Sequence, residues 1–175
     1  HLRVSTDLKD RWGGNLTAPS DMQFKTDVAK PSVKLPMLQF TRTLFLRPQD
    51  GEVTAQVNNV SSLVVRSQAV ALKDFITLEQ DDEALRSYAL LNPENWLLHF
   101  DKKTQAEAGP IQLSTGSAPL KPGLYYYRLS SKEVTAAVGR DVYFLASVSH
   151  IQLTLKRSLK EMLVWAVDLD KNQPV

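Results

Sequence analysis

The 175-residue chain has the composition of an ordinary soluble globular protein, with 43% hydrophobic and 23% charged residues. Its 21 basic and 19 acidic side chains leave a net charge of +2, which is too small to indicate a nucleic-acid or anionic-membrane partner. The sequence has no cysteine, which excludes disulfide bonds, thiolate metal sites and a cysteine nucleophile within it, and no apolar run approaches the roughly 20 residues that span a bilayer.

Residues 1–30 carry few apolar side chains and many turn formers. Residues 10–16 predict a loop, and residues 22–26 predict a short alternating strand. Residues 27–36 contain two prolines and are the most linker-like segment, because proline restricts both itself and the residue before it. The chain opens without Met and stops directly after a predicted strand, so we expect it to be part of a longer protein.

From residue 37 onward the predicted strands become regular. Residues 39–46 alternate, which places Phe40, Leu44 and Leu46 on one face together with Arg42. Further strands are predicted at residues 53–57, 63–70, 96–100, 111–113, 142–148, 151–157 and 162–169, and a polar loop at 101–110. Strands at this spacing, separated by turn residues, predict an all-β sandwich or barrel.

One short helix is predicted to interrupt the strands. Residues 77–80 have the form of a capping box, and the acidic residues 81–83 place negative charge near the predicted helix start, where the helix dipole favours it. Asn92-Pro93 predicts its end. We expect this helix to pack on the edge of the sandwich.

The segment from Leu120 to Leu129 organises the predicted fold. Pro122-Gly123 indicates a tight turn, and the Leu/Tyr run behind it suits a half-buried strand with Tyr125 and Tyr127 on one face. A turn that leads into a tyrosine suits a tyrosine corner, in which the phenol bonds back to nearby backbone in an immunoglobulin-like sandwich. The structural site residues predicted from the sequence are Pro122, Gly123, Tyr125, Tyr127 and Trp165, for which core or junction packing is expected.

The sequence contains no residue pattern that indicates catalysis or a cofactor. The three histidines are isolated, and no serine lies in a Gly-x-Ser-x-Gly turn. Asp168, Asp170 and Asn172 match the first half of a calcium loop, but the glycine expected at its sixth position is missing, which favours a polar turn. The sequence therefore predicts a protein that is not an enzyme and has no metal or cofactor.

Three pairs of segments carry a family resemblance. Residues 10–16 with 24–26 resemble the close of an immunoglobulin-like domain. Residues 53–74, centred on 57–60, together with 120–125 resemble the Asn-Val strand and the late Pro-Gly-x-Tyr strand of one domain. Residues 155–158 with 163–175 resemble a domain opening, with Asn172 in place of the usual glycine. In this order and spacing, the segments resemble the N-terminal macroglobulin-like region of the bacterial alpha-2-macroglobulin family.

The resemblance implies an immunoglobulin-like, macroglobulin-type antiparallel β-sandwich at residues 31–148. Residues 1–30 would end a preceding immunoglobulin-like domain and supply a linker, and residues 149–175 would begin a following macroglobulin-like domain. The family implies a non-catalytic structural module of a periplasmic protease inhibitor whose parent is often a membrane-anchored lipoprotein. Its partners would be the neighbouring domains and the proteases that the parent traps when a bait segment is cut.

A periplasmic or cell-surface binding or adhesion sandwich, such as a carbohydrate-binding module, is the alternative function. A carbohydrate binder should present aromatic side chains on a solvent-facing sheet. Tyr126 lies on the face opposite Tyr125 and Tyr127, so its burial discriminates between the two functions.

Overall fold

The computed structural model describes residues 1–25, 29–101 and 107–175. These residues form the strands β1 Leu2–Val4, β2 Ser20–Met22, β3 Ser32–Lys34, β4 Thr43–Leu46, β5 Glu52–Asn58, β6 Ser62–Ala69, β7 Glu94–His99, β8 Glu107–Gln112, β9 Gly123–Ser130, β10 Val142–Val148, β11 Ile151–Arg157, β12 Met162–Asp168 and β13 Gln173–Pro174. The helices are α1 Leu72–Gln80, α2 Asp82–Ser87 and α3 Lys132–Val138. None of the helices in these ranges is long and apolar enough to cross a membrane.

Two sheets pack face to face around one core. The larger has the strand order β4-β10-β9-β6-β7, and the smaller has the order β3-β5-β8. All neighbouring strands in them are antiparallel except β4, which pairs parallel with β10. In β5 the apolar residues Val53, Ala55 and Val57 are buried and the polar residues between them are exposed, as the period of a strand dictates. The prediction of an all-β antiparallel sandwich is confirmed.

The helices α1 and α2 cover the outer face of the larger sheet, not the edge of the sandwich as expected, whereas α3 buries Val134 in the main core. Tyr126 on β9 and Leu145 on β10 point away from the main core and are buried beneath Leu78 of α1 and Leu85 of α2. The Arg42 side chain, just before β4, reaches this helical cover through an ion pair with Asp82, whose Nε–Oδ1 distance is 3.0 Å. The sheet therefore has an apolar core on each of its two faces.

The structure corrects the predicted helix, because two helices, α1 and α2, occupy the described residues where one was expected, and α3 was not predicted. Thr77 does not start a helix but lies inside α1, where its hydroxyl donates to the Lys73 carbonyl at 3.1 Å. Asp81 caps α2, since its Oδ1 accepts from the backbone N–H groups of Glu83 at 2.8 Å and Ala84 at 3.2 Å. The acidic residues 81–83 thus lie at a helix start, as predicted, but it is the start of α2 and not a start at residues 77–80.

Several strand limits also differ from prediction. β4 begins at Thr43 rather than residue 39, because a 3₁₀ helix occupies Pro36–Leu38 and Phe40 is 93% exposed outside the sheet. The predicted loop at 101–110 contains the start of β8, where Pro110 is tolerated because β8 is an edge strand. Part of that loop, residues 102–106, lies outside the described residues, as does Thr26 at the end of the predicted strand 22–26.

Two small sheets flank the sandwich. At the N-terminal side β1 pairs with β2, and at the C-terminal side β11, β12 and β13 form an antiparallel sheet. Apolar side chains are exposed on both faces of the C-terminal sheet, with Leu153 and Leu155 on one face and Leu163 and Trp165 on the other. The main core extends from Val33 to Val148. The division into three domains at residues 30 and 148 stays a prediction.

Candidate functional site at the junctions of the sandwich

The Pro-Gly turn and Tyr125 form one compact unit at the start of β9. Pro122 is exposed in the turn, and Gly123 has a φ of +157°, which L residues rarely adopt. A Cβ on Gly123 would lie 3.4 Å from Cε2 of the Tyr125 ring, and the Tyr125 hydroxyl donates to the Lys121 carbonyl at 2.9 Å. This is the bond back to nearby backbone that a tyrosine corner requires. The bond itself is exposed, while the ring of Tyr125, for which core or junction packing was predicted, is half-buried against the main core.

The next two tyrosines of β9 donate hydrogen bonds from opposite faces of the larger sheet. The buried Tyr127 donates its hydroxyl to the Leu113 carbonyl at 3.0 Å and stacks on Phe144 with ring centroids 4.9 Å apart. Burial raises the pKa of Tyr127 to about 12, so its phenol remains a donor at physiological pH. Tyr126 is 0% exposed and donates to the Leu85 carbonyl of α2 at 3.0 Å. Three successive side chains thus bind three different segments.

Changes at the turn are expected to have graded effects on stability. Gly123→Val should lower the free energy of unfolding by about 1–2 kcal/mol, because it forces a β-branched residue into a positive φ against the Tyr125 ring. Tyr125→Phe should cost less, at most about 1 kcal/mol, because the hydrogen bond that it removes is exposed. Urea denaturation monitored by tryptophan fluorescence measures both. Unchanged urea-denaturation midpoints in both variants would show that this turn does not organise the fold.

Two asparagines after β5 bind the chain segment that enters the sandwich. The Asn58 side-chain amide donates to the Lys30 carbonyl at 3.1 Å, and that of Asn59 donates to the Ala29 carbonyl at 2.5 Å. Asn59 has a φ of 51°, a left-handed conformation that asparagine tolerates better than most residues. The Asn-Asn-Val segment of the family resemblance therefore serves both as a tight turn and as an anchor for the preceding segment.

Two substitutions of Asn59 separate these roles. Asn59→Gly keeps the left-handed backbone accessible and should lower the free energy of unfolding by about 1 kcal/mol through loss of the amide hydrogen bond. Asn59→Ala loses that bond as well and should cost about 1–2 kcal/mol more, since alanine disfavours the positive φ. Chemical denaturation of both variants tests the order. Equal stabilities would show that the backbone conformation contributes nothing.

The C-terminal junction is formed by the turns at residues 47–50 and 168–172. The Ser149 N–H donates to the Leu46 carbonyl at 3.0 Å, and the Gln49 side-chain amide donates to Oδ1 of Asp170 at 3.0 Å. The second oxygen of Asp170 lies 2.5 Å from Nδ1 of His150. Beside these contacts, Phe45, Leu46, Ile151 and Leu153 line an open cavity of about 600 Å³.

The turn at 168–172 closes on itself. Oδ1 of Asp168 accepts from the backbone N–H groups of Asp170 at 2.9 Å and Lys171 at 3.1 Å, and these bonds lower the pKa of Asp168. Asn172 has a φ of 52°, which explains why the motif that it resembles has glycine there. Within the described ranges no three His, Asp or Glu side chains cluster as metal ligands would.

The predicted site residues do not all come together. Pro122, Gly123, Tyr125 and Tyr127 lie in one turn and the strand that follows it. Trp165 lies instead on β12 of the C-terminal sheet, where it is 54% exposed. The residues that sequence reasoning missed are Asn58, Gln49 and His150, whose roles depend on distant partners. Among the residues that bind at the junctions, the sequence indicated only Asn59, through the Asn-Val motif.

Comparisons of sequence and of structure give different results. No family model matches the sequence, and no curated protein matches it significantly. The structure resembles native alpha-2-macroglobulin from Escherichia coli spanning domains MG0-NIE-MG1, with a TM-score of 0.60 and 14% identity over 99% of this chain and 57% of that one.

Two further solved structures show the same likeness. An Escherichia coli alpha-2-macroglobulin structure spanning domains NIE-MG1 has a TM-score of 0.53 and 16% identity over 86% of this chain and 75% of that one. A mutant of Salmonella alpha-2-macroglobulin has a TM-score of 0.55 and 13% identity over 99% of this chain and 11% of that one. This chain therefore spans only part of the length of these proteins, and it has the fold of the macroglobulin-like domain region of bacterial alpha-2-macroglobulins.

Proposed function

We propose that this chain is a non-catalytic structural module of a bacterial alpha-2-macroglobulin-like protein that traps proteases. The observation that carries the proposal is a likeness of fold that extends over 99% of the chain and so includes the strands on both sides of the sandwich. The parent protein is proposed to be periplasmic and anchored by a lipid, and its partners are the neighbouring domains and the trapped proteases.

The contacts at the two junctions support a scaffolding role. At one end Asn58 and Asn59 bind the incoming segment, and at the other Gln49 binds the turn that follows β12. A module that holds neighbours in register needs such bonds, because a linker without them would leave the neighbouring domains free to move. We propose that residues 1–30 and 149–175 belong to those neighbouring domains.

The burial of Tyr126 argues against the carbohydrate-binding alternative. Its ring lies between Tyr88 and Tyr143, at centroid distances of 5.0 and 6.5 Å, and beneath the helices rather than at the surface. A sugar-binding sheet would require this ring in solvent. The face of β9 that could have served as a stacking platform is part of a core.

The test uses the full-length protein that carries this chain, mixed with a broad-specificity protease. A trap should co-elute with the protease in size-exclusion chromatography and block cleavage of a large protein substrate while a small peptide substrate is still cut. Intact mass before and after methylamine shows whether an internal thioester contributes. The absence of both protease capture and a methylamine adduct would overturn the proposal and favour a binding module.

A pair of variants tests whether this chain is the scaffold of that capture. Asn59→Ala in the full-length protein should reduce the captured fraction, because it removes the side-chain bond to Ala29, one of the two that hold the incoming segment to the sandwich. Asn95→Ala, at an exposed position of β7, is the matched control and should leave capture unchanged. Equal capture by both variants would contradict a role for this junction.

A further inference from the structure

A pair of arginines lies on the outer face of the larger sheet. Arg66 of β6 and Arg128 of β9 are direct partners in the antiparallel ladder, and both lie on the face opposite the buried Val65 and Leu129. Like charges directly opposite each other in a sheet repel and lower its stability. The fold therefore keeps at this position a pair of side chains that its own stability does not favour.

Arg128 is held in place by its neighbours. Its Nε lies 2.9 Å from Oδ2 of Asp141, and its guanidinium carbon lies 5.2 Å from the centre of the Tyr143 ring. The Asp141 carboxylate also accepts hydrogen bonds from Ser130 at 2.9 Å and Thr135 at 3.1 Å, and its side chain is only 15% exposed. One arginine of the pair is thus neutralised and fixed by the chain itself, which lowers the cost of ordering it on binding.

Arg66 has a neutral partner instead of a carboxylate. Its Nη1 donates to the Ser130 hydroxyl, an uncharged acceptor, at 3.1 Å. Within the part of the chain that the structure describes, the arginines that form ion pairs are Arg42, Arg47, Arg86 and Arg128. The guanidinium of Arg66 therefore keeps an uncompensated charge and further N–H donors that a carboxylate can use.

The surface beside Arg66 is apolar and uncovered. α1 and α2 lie over Tyr126 and Leu145 on another part of the same face, whereas Leu97 of β7 is 51% exposed. Leu97 is the ladder partner of Val64, which lies on the same face as Arg66 and two residues before it. Arginine and tyrosine beside an exposed leucine are typical of the centre of a protein–protein interface rather than of a basic stripe that binds nucleic acid.

We propose that Arg66, Leu97, Arg128 and Tyr143 form a docking surface for an acidic segment of a partner protein. A carboxylate of that segment accepts hydrogen bonds from the Arg66 guanidinium, and an apolar side chain next to it contacts Leu97. Arg140 is exposed directly before Asp141 and adds a further positive charge, so the charge of this region also attracts an acidic partner from a distance.

The docking surface is separate from both junctions. β7 and β4 are opposite edges of the larger sheet, and the C-terminal junction involves the turn after β4. The N-terminal junction is formed by Asn58 and Asn59 at the end of β5, in the smaller sheet. The units that flank the sandwich therefore leave this surface open, and the proposed occupant is a separate protein.

NMR titration of the isotope-labelled chain with a blocked peptide that alternates glutamate and leucine tests this proposal. The backbone amides of β6, β7 and β9 and the Nε–Hε resonance of Arg66 should shift with one common dissociation constant. The same peptide with lysine in place of glutamate should not bind, and added salt should weaken binding of the acidic peptide because exposed charges are screened. Unchanged resonances, or tighter binding of inorganic triphosphate or single-stranded DNA than of the acidic peptide, would overturn the proposal.

Arg66→Gln should weaken binding of the acidic peptide by about fivefold, the upper range for an exposed ion pair. The variant should be at least as stable as the unsubstituted chain, because it removes the like charge opposite Arg128. Arg157→Gln, at the exposed end of β11, changes the net charge equally and is the matched control that should retain the affinity.

A loss of affinity in Arg66→Gln alone, without a loss of stability, would support the docking surface. Equal affinities of the two variants would overturn it, because binding would then depend on net charge or on other residues. A clear loss of stability in Arg66→Gln would also overturn it, since Arg66 would then serve the fold. Binding of the peptide by this chain but not by the full-length protein would exclude a separate partner, because the parent would itself cover the surface.

Discussion

Tyr127→Ala is expected to lower the free energy of unfolding by about 3–5 kcal/mol, because it removes a large buried ring from the core of the sandwich. The ring of Tyr127 is 1% exposed and stacks on Phe144 at an interplanar angle of 5°. Alanine would leave a cavity between the two sheets and would also strip the Leu113 carbonyl of its hydrogen-bond donor. Urea denaturation at fixed pH measures the loss.

Tyr127→Phe separates packing from hydrogen bonding at the same position. It preserves the ring and should cost about 1–3 kcal/mol, because the buried Leu113 carbonyl is left without its donor. Phe40→Ala provides a surface control, since Phe40 is 93% exposed and its loss should change stability by no more than about 0.5 kcal/mol. A Tyr127→Ala variant as stable as Phe40→Ala would contradict the central position of this ring.

The strands of the sandwich could be predicted because their sequences alternate and turn residues separate them. In β5 the buried residues Val53, Ala55 and Val57 recur at every second position, and Asn58 and Asn59 end the strand. The limits of β4 could not be predicted in this way. The alternation of residues 39–46 continues into the preceding turn, and only pairing with β10 shows that the strand begins at Thr43.

The start of α1 was harder to predict because it lacks the usual sequence signal. α1 follows Ala71, whose side chain has no polar atom to cap the first turn, while the capping-box pattern at Thr77 lies inside the same helix. α3 is only seven residues long, and its clearest signal is Gly139, which ends it with a φ of 73°. Burial of Val134 helps to hold so short a helix in place.

The candidate site was predictable where its bonds are local. The Tyr125 hydroxyl reaches a carbonyl only four residues away, so the Pro-Gly turn indicates the contact. The bond from Asn58 to the Lys30 carbonyl and the bond from Gln49 to Asp170 join residues far apart in sequence. Such pairs depend on the path of the whole chain and cannot be predicted from any short segment of the sequence.

Tyr126→Ala is expected to lower the free energy of unfolding by about 3–5 kcal/mol through the second core, on the outer face of the larger sheet. Tyr126 is 0% exposed, contacts Leu78, Leu85 and Leu145, and donates its hydroxyl to the Leu85 carbonyl at 3.0 Å. Its removal would leave α1 and α2 over a cavity with an unpaired carbonyl. Chemical denaturation measures the total loss, and hydrogen exchange measures where it occurs.

The pattern of hydrogen exchange distinguishes this core from the one around Tyr127. In Tyr126→Ala the amides of α1 and α2 should exchange faster than those of β5, because the helices contact the sheet mainly through the residues that the substitution disturbs. In Tyr127→Ala the amides of β5 and β9 should be affected at least as strongly as the helices, since that ring lies between the two sheets. The same exchange pattern in both variants would mean that the helical cover and the sandwich unfold as one unit. The helices would then be an integral part of the sandwich rather than a cover docked on its outer face.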